Sequence, residues 1–253
     1  MNLQNEKLKI FNRDSLKFTA IILMFWGHFF AWLTILRGGE LTDIPLWQSL
    51  ISSLALICPS VMFFSVADGY KYTRDRKKYA LRLFVFACIT LIPNWIVFQP
   101  INGWRTSNVI FTLFFGLLAI IIWESSMKKW QKIMLIFLCV AATVLIMSDW
   151  MINGVLLILF VHIFRDRPKA RFISYTAVSA AMQITEAVLT DFSSVRIWVS
   201  AAFNTAVLLF GYFCVTVLSN GKKGKYPLFS KWFFYIFYPL HYLIIFAVFK
   251  ITS

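Results

Sequence analysis

The chain has 253 residues, of which 60% are hydrophobic and 18% aromatic, with a mean hydropathy of +0.73 and a formal net charge of +14. That is more apolar surface than a soluble core of this length consumes, which excludes water as its main solvent. The charge does not point to nucleic acid either. Its Lys and Arg residues sit in short clusters between apolar runs, where they act as topology signals and as contacts for membrane-lipid headgroups.

A basic leader precedes the first apolar run, which begins near Leu16 and continues for about 20 residues. That is longer than the core of a signal peptide, so the run is expected to stay attached as the first span. Apolar runs able to cross a hydrocarbon layer of about 30 Å follow in order. They lie near 16–36, 49–70, 80–98, 107–123, 132–148, 150–164, 172–189, 195–218 and 231–250. Only Ser148, Asp149 and Trp150 separate the fifth from the sixth. A single span of their combined length would be too long even with strong tilt, so a tight turn at Asp149 is predicted. The pattern is an all-α, polytopic membrane bundle of about nine transmembrane helices. It reads as one membrane domain over 1–253, with short loops, no internal repeat and no soluble appendage.

Lys and Arg alternate between loops as this division requires. Twenty-one fall on one side, among them Lys7, Lys17, Arg74, Arg82, Lys129, Arg165 and Lys223; only Arg37, Arg105, Arg196 and Lys250 fall on the other. The positive-inside rule then places the N-terminus in the cytoplasm and, after an odd number of crossings, the C-terminus outside, in a bacterial cytoplasmic (inner) membrane. The four cysteines, Cys58, Cys88, Cys139 and Cys214, all lie inside apolar runs without metal-ligand spacing. They read as small buried hydrophobes, and no metal site is expected.

Ionisable groups inside spans cost about 2.5–3.5 kcal/mol on insertion scales, so they are candidates for function. His28 lies 11 residues beyond Lys17, which places it about 16 Å deeper along a helix. His241 lies ten residues beyond Lys231, about 15 Å deep. Both spans run in the same direction, so the two imidazoles are expected in one layer and can face one cavity if the first and last spans are neighbours. Neutral imidazole costs less to bury than a carboxylate and accepts a proton near neutral pH, which suits a general base. His162, near the end of the sixth span, reads as an interfacial side chain.

Asp68 closes the second span and can pair with Arg82 or Lys71 as a structural lock. Asp149 can cap the sixth span, and Asn94, Asn108 and Thr112 can hydrogen-bond between helices. The run from Tyr70 to Arg82 concentrates six positive charges beneath the second and third spans. Such density suits anionic headgroups, or the phosphates of a cofactor whose neutral arm reaches inward.

At these residues the sequence resembles the TraX family of membrane proteins and, more distantly, the acyltransferase 3 superfamily. Leu16–Phe29 is similar to the family's opening helix, with Lys17 and His28 fitting a basic residue, ten residues, histidine pattern. Cys58-Pro59, Ala67-Asp68-Gly69-Tyr70, Thr73-Arg74 and Tyr79 to Arg82-Leu83 resemble its second and third spans. Asn108, Phe111-Thr112-Leu113 and Gly116 match the fourth, Asp149-Trp150 with Gly154 the sixth, and Phe233-Phe234-Tyr235 through Tyr238-Pro239-Leu240-His241 the last. The sequence departs from the pattern at Gly27, where many relatives place an Asp, and at Asp68, where Glu is frequent.

The family's named member acetylates the N-terminal amine of pilin, and the superfamily transfers acyl groups to exported sugars, peptides or lipids. The resemblance therefore implies an integral membrane acyltransferase taking an acetyl group from acetyl-CoA at the cytoplasmic face, with a peptide, glycan or lipid acceptor. His28 would be the general base, with His241 assisting at the oxyanion or positioning the acceptor. Lys17, Arg74 and Arg82 would hold the donor's phosphates, and Asp68, Asn108 and Asp149 would be polar groups of the substrate site or of its frame. Two other classes fit the same residues: a small-solute transporter using the histidines as a proton relay, and a non-catalytic membrane partner.

Overall fold

The computed structural model describes residues 9–39, 44–102 and 107–252. Lys7 and Arg105, both counted in the charge alternation, lie outside them. Among the described residues there are ten α-helices: α1 (Arg13–Leu36), α2 (Leu46–Leu54), α3 (Ile57–Tyr72), α4 (Arg76–Asn102), α5 (Val109–Trp123), α6 (Lys129–Leu145), α7 (Met151–Ile163), α8 (Pro168–Asp191), α9 (Val195–Phe213), which ends in a π-helical turn over Cys214–Leu218, and α10 (Pro227–Thr252). Among the described residues there is no strand, only a parallel bridge between Phe11 and Ser219.

Among the described residues, six helical stretches are long and apolar enough to cross a bilayer: Arg13–Leu36, Trp47–Tyr72, Arg76–Phe98, Pro168–Asp191, Val195–Leu218 and Pro227–Thr252. Their outward faces are apolar; Leu189 is 80% exposed and Ile251 83%. Such surfaces are stable only against lipid, and the chain is a multi-pass membrane protein. The remaining three expected spans are shorter. α5, α6 and α7 have 15, 17 and 13 residues, about 22, 26 and 20 Å, each less than the hydrocarbon layer.

The second expected span is interrupted. The Ala55 N–H still reaches the Ile51 carbonyl, Leu56 closes onto Ser53, and Cys58 restarts the chain on Ala55. Pro59 causes the break: it fits the first turn of α3, but its ring collides with the carbonyl four residues back, at Ala55, so α2 cannot run on. Elsewhere the starts are capped conventionally. Asn12 accepts the N–H groups of Asp14 (3.0 Å) and Ser15 (2.8 Å) at the head of α1. Asp75 accepts the Lys78 N–H (2.9 Å) at the head of α4, which holds that exposed carboxyl below its usual range.

The chain divides into two compact units, Met1–Met62 with Gln183–Ser253, and Phe63–Met182, the divisions falling within α3 and α8. In the first unit, α1 packs on α2 and on α10, and α2 also meets α9. The head of α1 is tied down by the segment after α9. There Phe11 exchanges backbone bonds with Leu218 and Asn220, Arg13 N–H reaches the Lys222 carbonyl, and Gly224 N–H reaches the Asp14 carboxylate at 3.1 Å. In the second unit α5 packs against α4, α6 and α7, and α6 against α7.

Gly27 is where α2 meets α1. A Cβ there would fall 2.5 Å from the Ala55 Cβ and 3.2 Å from the Ser52 Cα, while the Ser52 hydroxyl donates to the Gly27 carbonyl at 3.2 Å. Glycine permits this approach as small residues do between membrane helices. An Asp side chain at this position, as the family resemblance would have it, has no room. Gly27→Ala is expected to cost about 1–3 kcal/mol through overpacking and Gly27→Asp more. Thermal unfolding of the detergent-purified protein should register both losses, with Ala55→Gly restoring part of the second.

Candidate functional site

α1 carries Lys17 and His28 11 residues apart, close to three full turns, so both project from one face. α10 presents Phe234, Tyr238, His241, Tyr242 and Ile245 along a similar stripe, and the two helices pack along their lengths. The Lys17 ammonium stands over the Phe234 ring, 5.6 Å from its centre. One helical stretch further on, His28 Nδ1 and His241 Nε2 lie 3.2 Å apart. His241 is fully buried and His28 half-buried.

Aromatic rings hold both imidazoles. Trp32 stacks on His28 with centroids 4.2 Å apart and planes at 17°, and lies 4.7 Å from Tyr242. Tyr242 in turn sits 4.5 Å from His241, and Phe237 stacks on His241 at 6.0 Å. The Tyr238 and Tyr242 hydroxyls meet at 3.3 Å. Pro239 lies between these residues inside α10 and supplies no N–H, so one helical bond is missing beside the pair.

The hydrogen bonds fix the tautomers. His241 Nδ1 faces the Tyr238 carbonyl, which only accepts, so this nitrogen carries the proton. In a neutral ring Nε2 is then an acceptor, and the His28 Nδ1–H must donate to it. The outcome is a directed chain from His28 through His241 to the Tyr238 carbonyl. It leaves the lone pair of His28 on Nε2, the nitrogen turned away from the pair.

The other residues singled out from sequence belong to the second unit. Arg74 is exposed in the turn before α4. Arg82 is half-buried on α4, its guanidinium over Tyr79 at 5.7 Å. Asp68 is exposed on α3. Asn108 caps α5 by accepting the Ile110 N–H (3.1 Å) and bridges to α4 by donating to the Ala87 carbonyl (3.0 Å). Thr112 likewise bonds between elements, reaching the Ser148 hydroxyl at 2.8 Å and the Asp149 carbonyl. Asp149 does not cap the helix that follows it. The capping position of α7 is Trp150, without a side-chain bond.

His162, at the basic end of α7, is buried in the bundle. It is 4% exposed, its Nε2 lies 2.7 Å from the Glu124 carboxylate, and the Tyr70 ring meets it edge-on at 5.1 Å. The Arg76 guanidinium covers the other side of Tyr70 at 4.2 Å. Glu124 follows α5 and His162 closes α7, so this bond joins the ends of two packed helices. Sequence reading missed it because the partners are 38 residues apart. The visible signal was an acid and a histidine each at the C-terminal end of its helix, in two helices that run parallel with α6 returning between them. Glu124→Ala should destabilise the protein by about 1–3 kcal/mol, because the buried ring loses its partner, and Glu124→Gln by less. Thermal unfolding at neutral pH measures both.

No solved structure matches the chain. It is 29% identical over 242 residues to the probable fimbrial assembly protein FimC, serogroup H1, of Dichelobacter nodosus, covering 91% of this chain and 93% of that protein. The family model described as TraX protein matches residues 12–249. That stretch contains both histidines, the aromatic rings around them and every helix but the last residues of α10, and the chain belongs to the TraX family.

Proposed function

We propose that the protein is a membrane acyltransferase that moves an acetyl group from acetyl-CoA to an amine or hydroxyl of an exported peptide, glycan or lipid. The observation that carries this reading is the His28–His241 bond, 3.2 Å long, which leaves His28 Nε2 as an unprotonated base inside an aromatic enclosure. The similarity to a protein named for fimbrial assembly favours a peptide acceptor.

In this mechanism His28 Nε2 takes the proton of the acceptor N–H or O–H as that atom attacks the thioester carbon. The C–S bond breaks as the tetrahedral intermediate collapses, and the imidazolium returns its proton to the departing thiolate, giving an amide or ester and free coenzyme A. His241 is a positioning residue. Both of its nitrogens are engaged, one with Tyr238 and one with His28, so it orients the base and spreads the positive charge instead of donating to an oxyanion. Lys17 is the cation this unit supplies toward the donor's phosphates, on the same face of α1 as the base. The basic loops face the cytoplasm in this reading, so donor and base are approached from the side where acyl-CoA is made.

Acetyl transfer from labelled acetyl-CoA, measured on the purified protein in nanodiscs with a peptide acceptor, tests the assignment. His28→Ala should lower kcat by about a hundredfold or more, as removal of a general base does. His241→Ala should cost less and shift the acid limb of the pH–rate profile, a change that a merely structural role would not produce. Full activity in a folded His28→Ala protein would end the reading.

A further inference from the structure

A base that takes a proton inside a membrane becomes a cation there, and a buried cation is costly unless a neighbour offers it negative potential. The edge of the His28 ring is already committed. Its Nδ1 faces His241 Nε2 at 3.2 Å, and in the mechanism above its Nε2 is turned to the acceptor. A partner that stays in place throughout the reaction must therefore meet this imidazole on a face.

Trp32 does so. It stands four residues after His28 on α1, one helical turn on, where side chains of the same helix face meet. The indole and the His28 ring are stacked, with centroids 4.2 Å apart and planes at 17°. The same indole lies 5.3 Å from the His241 ring at 30°. From α10 the buried Tyr242 supports it, 4.7 Å away at 31°. One aromatic face is thus held against both members of the pair, so a positive charge spread between them stays beside it.

The ionisable groups that face the pair from α10 are Tyr238 and Tyr242, with His241 itself facing His28. The other helix packed on α1 here is α2, and Leu46–Leu54 carries no ionisable side chain. On α1 itself Lys17 lies about three turns away. An indole face bears the negative lobe of the ring quadrupole. Against neutral imidazole it gives ordinary stacking; against imidazolium it adds electrostatic attraction, which is strongest where water is excluded. The contact therefore strengthens as the proton arrives, and an interaction that strengthens toward the transition state raises kcat. Packing alone would be indifferent to the charge on the ring.

We infer, resting on the transfer reaction proposed above, that Trp32 is a positioning residue whose indole face stabilises His28 as an imidazolium while that ring holds the acceptor's proton.

The test uses the full chain in nanodiscs with mono-, di- and trifluorinated tryptophan inserted at position 32. Fluorine withdraws electron density from the ring face and changes its shape little, so the series weakens the attraction at nearly constant packing. The kcat for acetyl transfer should fall stepwise, by about tenfold at the end of the series, and Trp32→Leu should lose at least as much. The same series at Trp26, whose rings in contact are Phe25, Phe29 and Phe30, should leave kcat unchanged. Nitrogen-15 NMR of labelled histidine reads the effect without turnover. At a pH where the native His28 ring is half protonated, its imidazolium share should drop with each fluorine, while that of His162 in the second unit stays constant. Absence of transfer by the native protein would end the acyltransferase reading, and the spectra would then decide the role of Trp32 alone. An imidazolium share that ignores fluorination, with loss of activity confined to Trp32→Leu, would make Trp32 a packing residue and overturn the inference.

Discussion

A hydrogen bond between two imidazoles, His28 on α1 and His241 on α10, is the contact on which the proposed chemistry depends. Each ring taken singly is a neutral heterocycle buried among aromatics, which any helix bundle can tolerate. Joined through His28 Nδ1 and His241 Nε2, and closed at the far end by the Tyr238 carbonyl, they become a polar chain with a direction. The consequence is a base with its lone pair on a defined nitrogen. Everything in the first unit serves this bond. α1 and α10 pack along their length, Trp32 and Tyr242 fix the ring planes, and the Phe11 to Gly224 contacts anchor the head of α1. Gly27 lets α2 close against the same helix one residue before His28. A change at that glycine therefore moves the wall behind the base and leaves the base itself untouched.

The second unit solves a different problem by the same means. Its polar groups, Asn108, Thr112, Ser148 and Asp149, bond to one another or to helix termini, so the short helices α5 and α7 end inside the membrane thickness without stranding their backbone groups. At the other end the Glu124–His162 bond, Tyr70 and Arg76 close the same bundle with a mixed aromatic and charged layer. One end is thus lined by charged and aromatic groups and the other by hydroxyl and amide groups that bond between helices. The strained turn at Met147–Met151 survives because α5 holds it from two directions.

How much of this was legible in the sequence depended on whether a local ruler existed. Lys17 and Lys231 mark the membrane surface on their own helices, so the depths of His28 and His241 could be counted in residues. Their lateral meeting could not, because it depends on how α1 and α10 rotate toward each other. The helices themselves follow from apolar runs, yet the break at Ala55–Leu56 was hidden in a continuous apolar stretch although Pro59 was in view. Hydropathy likewise did not show that α5, α6 and α7 stop short, since an apolar run does not say where a turn begins. Asp149 was recognised as a turn residue, but the side chain that its carbonyl accepts from, Thr112, lies 37 positions earlier in the chain. The partner of His162 was hidden for the same reason, since Glu124 belongs to a neighbouring helix. Gly27 looked like the loss of an acid until α2 was seen to occupy the space that acid would need.

The central claim is the direction of the proton chain, and nitrogen-15 NMR of labelled histidine in nanodiscs reads it directly. The account predicts that both imidazoles are neutral with the proton on Nδ1, and that His28 Nδ1 and His241 Nε2 share a scalar coupling across their hydrogen bond, lost in His241→Ala. Protons on Nε2 of both rings, with no coupling between them, would contradict it.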